Sequence, residues 1–152
     1  MTACREQILA AVATALGTIT SVAGLAVERE RGDDQPVDET ELPRLVVIAD
    51  DEAEDPIWTG ERDYSITVAV EGYVAAASAL EAQQAAAVLR AEVDRVLLAE
   101  PFLGGLQIRD LRIEDEGEPA RLLPDGADAI EAFVRQVVVE YATAETDPDV
   151  FV

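Results

Sequence analysis

Apolar side chains along this chain recur with two different periods, and the changes between them mark out a helix, a group of strands, a longer helix and a second group of strands. From residue 2 onward Ile8, Leu9, Val12 and Leu16 repeat at helical spacing, with Thr2 placed as an N-cap and Gly17 as a stop, which predicts a short amphipathic helix. Residues 22–31 (VAGLAVERER) alternate imperfectly and run into the polar turn GDDQP, the pattern of a strand whose Leu25 and Val27 face inward. Residues 42–49 (LPRLVVIA) form a β-branched run, and Pro43 suits a strand beginning or an edge rather than a central ladder position. After a polar stretch at residues 50–55, residues 63–73 alternate cleanly: Tyr64, Ile66, Val68 and Val70 point one way, Asp63, Ser65, Thr67 and Glu71 the other.

Ser78 and Glu81 then have the spacing of a capping box, and a helix is expected from there to about residue 99, with Leu89, Val93, Val96 and Leu97 on its buried stripe and Pro101 past its end. Residues 106–114 (LQIRDLRIE) begin as a strand whose apolar parity changes between Ile108 and Leu111, the mark of a bulge or irregularity. Residues 117–126 read as a loop. Residues 129–143 (AIEAFVRQVVVEYAT) read as an unusually long strand, with Phe133, Val137, Val139 and Tyr141 on one face and length to spare for a neighbour. The expectation is a single α+β domain spanning residues 1–152: one antiparallel sheet, or a mixed one, with two helices packed on one face, and residues 142–152 as an extended C-terminal tail.

Charge is the abnormal feature of the composition: 32 acidic residues against 11 basic ones give a formal net charge of -21. Every basic residue is Arg and nearly all have acidic neighbours, so a groove that grips phosphates, or a face that binds an anionic membrane, is disfavoured. An acidic wall can still surround a duplex without holding it, since repulsion screened over roughly 8–10 Å keeps DNA from sticking. No apolar run approaches the ~20 residues of a membrane span.

The sequence contains no histidine, which removes the commonest general base and the usual zinc ligand. Gly104-Gly105 is an isolated pair with no P-loop lysine, so nucleotide binding finds no support. The acidic runs at residues 50–52, 54–55 and 114–116 lack an EF-hand pattern and read as solvated loops. Cys4 reads as a small buried or half-buried helix residue rather than an activated thiol. Trp58 with Ile57 suits either a local core plug or an anchor for a partner, and Phe102 with Leu103 poses the same choice, with the core favoured. The Ala-rich stretch at residues 75–87 is a good helix former that packs within the subunit or against a neighbour. No cofactor, no metal and no catalysis are expected.

The order of these segments, with VERER entering a turn, LPRLVVIAD, TGERDYSITVAVEGYV, the capped Ala/Leu/Val helix and a closing VVVEYATAETDPDVF, resembles the tail terminator proteins of lambda-type long-tailed phages and gene transfer agents over nearly the full chain. The resemblance implies a structural virion subunit, assembled in the bacterial cytoplasm, that forms a homo-oligomeric, sixfold ring at the head-proximal end of the tail. Such a ring seats on the tail tube protein, stops polymerisation and docks the head completion protein, while DNA passes its lumen without specific binding. No residue-level chemistry transfers. Exposure and composition single out residues 31–41, 51–62 and 142–152 as contact loops, with Arg31, Asp33, Asp34, Ile57, Trp58, Arg62, Glu145, Asp147 and Phe151 as candidate interface residues. The competing readings are another head–tail connector or tail completion subunit, an acidic DNA mimic, and a small carboxylate–metal enzyme.

Overall fold

A computed structural model describes residues 3–30, 38–54, 60–99, 103–114 and 129–152. The order is α1 (Cys4–Leu16), β1 (Ala26–Arg29), a 3-10 turn (Glu39–Glu41), β2 (Arg44–Glu54), β3 (Glu61–Ala75), α2 (Ala79–Ala99), β4 (Asp110–Glu114), β5 (Ile130–Ala144) and β6 (Asp147–Phe151). The fold is α+β, built on a six-stranded sheet ordered β1-β2-β3-β5-β4, with β6 also pairing β5. Among the described residues only β1 and β2 run parallel; every other pair is antiparallel.

The two 15-residue strands β3 and β5 form the spine, in register from Glu61 opposite Ala144 to Ala75 opposite Ile130. The length of β5 is therefore used inside the chain: β3 lines one edge, while β4 and β6 share the other. Alternation sends Ile66, Val68 and Val70 of β3 and Val137, Val139 and Tyr141 of β5 into one buried cluster with Leu45 and Val47 of β2. The same cluster takes Ile8, Leu9, Val12 and Leu16 from α1 and Ala86, Leu89, Val93 and Leu97 from α2. Each such fully buried Val, Leu or Ile stabilises the fold by about 1.5–3 kcal/mol.

Several expectations change in detail. Helix α1 is preceded by Ala3 without a side-chain cap, while Thr2 lies outside the described residues. Gly17 ends it in an ordinary right-handed conformation, its N–H reaching the Ala13 carbonyl. At α2, Ser78 Oγ accepts the Glu81 N–H at 3.2 Å, as the capping pattern requires.

The acidic residues 50–54, read as a polar connection, continue β2 instead. A register shift between Ala49 and Asp51 absorbs one residue, and the strand then follows β3 out to Glu54 opposite Tyr64. Ile108 lies buried ahead of β4 and outside it, which accounts for the parity change before Leu111. The loop expected at residues 117–126 lies outside the described residues.

Strand β3 is less one-sided than its alternation implies. On the side opposite the helices' cluster, Val46, Tyr73, Leu42, Ile48 and Ala132 pack together, and Glu71, Val134, Val138 and Ala142 are buried. Glu71 keeps a polar partner there, since the Tyr73 hydroxyl donates to Glu71 Oε1 at 2.6 Å.

Candidate functional site

Chemistry-bearing side chains gather where the far end of the β2–β3 hairpin meets the β5–β6 turn. Tyr64 and Tyr141 are direct cross-strand partners, so register alone stacks their rings at 5.2 Å, and Phe151 of β6 closes edge-on against Tyr141 at 6.0 Å. Tyr141 is only 3% exposed. Its hydroxyl donates to Glu52 Oε1 at 3.2 Å, and Arg5 Nε stands 3.2 Å from the other Glu52 oxygen, so a line of polar contacts joins β5, β2 and α1. Burial first, and then the Glu52 carboxylate, push the Tyr141 hydroxyl well above the ordinary tyrosine range.

The C-terminal segment is extended but docked. The Glu145 N–H donates to the Gly60 carbonyl at 3.1 Å, the Val152 N–H to Ala142, and the Gln7 amide to the Asp149 carbonyl. The nearby Cys4 is buried in α1, and burial, then Asp149 and Asp147, raise its thiol above the usual value.

Of the sequence-derived candidates, Arg62, Glu145, Asp147 and Phe151 come together at this end of the sheet. Phe151 spends its ring on Tyr141 rather than projecting from the molecule, and Asp147 accepts the Asp149 N–H within its own turn. Arg62 and Glu145 border an open cleft of about 360 Å³ with Thr143 and Thr146. Arg62 stands 3.8 Å from Glu54, and its buried Nε has no hydrogen-bond partner among the described residues. Arg31, Asp33, Asp34, Ile57 and Trp58 lie outside the described residues.

A second polar group was not singled out from the sequence. Arg109 bridges Asp63 at 2.8 Å and Glu61 at 2.5 Å, and Arg112 bridges Glu140 at 2.8 Å, Glu114 at 3.1 Å and Asp110 at 3.3 Å. These bonds, led by Glu61 for Arg109 and by Glu140 for Arg112, hold both guanidiniums still more firmly protonated than usual. The signal was the Arg/acid alternation in residues 109–114, but the partners on β3 and β5 follow only from sheet register.

Arg109 and Glu140 also border an open cleft of about 130 Å³ beside Tyr64 and Tyr141. No group of three or more metal-ligating side chains occurs among the described residues, and no described helix is long and apolar enough to cross a membrane. What the arrangement offers chemically is charge and hydrogen bonding for a partner surface. The chain matches no protein-family model, and no curated protein matches its sequence.

Proposed function

We propose that this chain is a non-enzymatic structural subunit of a closed ring that caps the tail tube of a long-tailed phage, ends tube polymerisation and presents the docking surface for the head. The observation that carries the ring is the open sheet. Among the described residues β1 and β4 are outermost, on opposite sides, and neither has a further strand partner. A subunit with two different, oppositely placed edges makes head-to-tail contacts, which close into a ring when the rotation per subunit allows it.

Charges on both edges, Glu28 and Arg29 on β1 and Asp110, Arg112 and Glu114 on β4, oppose uncontrolled strand pairing in solution. Closure then depends on a template, the last ring of the tube. The net charge of -21 suits a lumen through which DNA slides without being held. A DNA mimic needs carboxylates left free for a basic protein, whereas Glu61, Asp63, Asp110, Glu114 and Glu140 are drawn onto Arg109 and Arg112. Arg62 and Glu145, at the end of the β3–β5 spine, are the contacts assigned to the tube or the head side.

The test is a polymerisation assay. Purified chain added in substoichiometric amounts to assembling tail tube protein should arrest tube growth and shorten the tubes in proportion to dose. Tubes of unchanged length, with the chain left in the supernatant, would exclude termination; binding confined to the portal side would indicate a different connector.

A further inference from the structure

The outer face of α2 has no role in the ring proposed above. Its buried side, Ala82, Ala86, Leu89, Val93 and Leu97, faces the core. On the opposite side Leu80, Val88 and Leu98 are 64%, 55% and 56% exposed, three of the five large apolar side chains exposed among the described residues. Scattered exposed leucines need no explanation. These are not scattered: Leu80, Gln84, Ala87, Ala91, Asp94 and Leu98 fall on the alternating four- and three-residue spacing of a coiled-coil seam, Asp94 turning aside to Arg135, with Glu81, Val88 and Arg95 along its flank.

The seam is also symmetric along the helix. Leu80 and Leu98 lie nine positions either side of residue 89, and Ala87 and Ala91 two positions either side of it. Along the flank, Glu81 and Arg95 lie seven positions either side of Val88. Turned end for end, the strip therefore presents a leucine to each leucine, an alanine to each alanine, Gln84 to Asp94, and Glu81 to Arg95.

We propose that α2 packs antiparallel against α2 of a second copy about a two-fold axis beside Val88. Leu80 meets Leu98 of the second copy at both ends, and Ala87 and Ala91 let the helices approach at the centre. Val88 packs against its own symmetry mate, and Glu81 and Arg95, whose guanidinium also bonds Glu92 of its own helix, form two identical ion pairs across the seam. Charge also selects the occupant. Two chains of net charge -21 repel, and the exposed strip, where Glu81 can face Arg95 and Asp94 is held by Arg135 of its own chain, is where they meet at least cost.

The seam runs roughly 27 Å at 1.5 Å per residue, shorter than a standard interface needs, so the pair forms and dissociates with concentration. Because a two-fold contact closes after two copies, it is separate from the head-to-tail contacts of the ring.

Sedimentation of the full chain over a concentration series tests the proposal: the mass should rise from the 16.3 kDa of one chain towards twice that value. Glu81→Arg and Arg95→Glu should each weaken pairing by roughly fivefold or more, because each sets two like-charged pairs face to face, and the double variant should restore it. Circular dichroism checks that the variants stay folded. Oxidised Val88→Cys should form a covalent dimer; Leu80→Cys should do so only when mixed with Leu98→Cys. A mass that stays at one chain at every concentration, self-association indifferent to both charge reversals, or Leu80→Cys cross-linking to itself would overturn the proposal. Tube capping by a chain that is monomeric when free would sink this contact and leave the ring reading standing, and an α2 dimer that never caps tubes would do the reverse.

Discussion

Gly72 of β3 lies directly opposite Phe133 of β5, and the Phe133 ring occupies the space that a side chain at position 72 would need. The glycine is not there for an unusual backbone angle. Its missing Cβ lets an aromatic ring lie across the central strand pair as part of the buried cluster.

Gly72→Ala should therefore lower stability by about 1–3 kcal/mol, the usual cost of overpacking a filled core, although alanine is the better strand residue in open space. Urea unfolding measures it. Adding Phe133→Leu should recover part of the loss, since a smaller side chain leaves room for the methyl, and a wild-type midpoint for Gly72→Ala would contradict the packing described here.

The partly buried pair between α2 and β5 provides a second case. Arg135 Nε and Nη2 each reach an Asp94 oxygen at 2.9 Å, a two-pronged contact that pins the helix to the sheet. Asp94→Ala should cost about 1.5–3 kcal/mol, as expected for hydrogen bonds to charged groups. The same substitution at exposed Glu81 should cost far less in thermal melts of the monomer.

Alkaline stability should depend on Tyr141. Its hydroxyl titrates higher in the fold than in the unfolded chain, so the neutral form is favoured by folding. The associated stability is present below the ordinary tyrosine pKa of about 10 and is lost as pH rises above it towards the folded value. Denaturant midpoints followed upward from about pH 9 should fall more steeply for the wild type than for Tyr141→Phe. Parallel curves would mean that the tyrosine's surroundings do not discriminate between its two forms.

Cys4 gives a simpler readout. Buried, and with its thiol pKa raised, it should react with iodoacetamide at least about tenfold more slowly in the folded protein than in urea. Equal rates would place the start of α1 in solvent.

Much of this architecture was legible in the chain. The Ser78 cap and the Leu89/Val93/Leu97 stripe located α2, and the alternation around Ile66, Val68 and Val70 located β3, because each signal is local and periodic. Residues 50–54 were misread because their charges spoke for a loop, whereas pairing with β3 across a bulge keeps them in a strand. Arg135 and Glu71 sit in half-buried or buried positions that their polarity argues against, and only partners distant in sequence or on a neighbouring pleat reveal how they are accommodated. At the candidate site, Tyr64 and Tyr141 were each read on the apolar face of their strand. Their stacking needed the β3–β5 register, and the docking of Phe151 needed the reversal at residues 145–146, neither of which a local pattern encodes.

The most direct test of the functional account is electron microscopy of purified chain mixed with preassembled tail tubes. The account predicts a single closed ring of copies of this chain at one end of each tube, with DNA-sized space at its centre and no second tube segment beyond it. Tubes with bare ends beside isolated copies of the chain would contradict it.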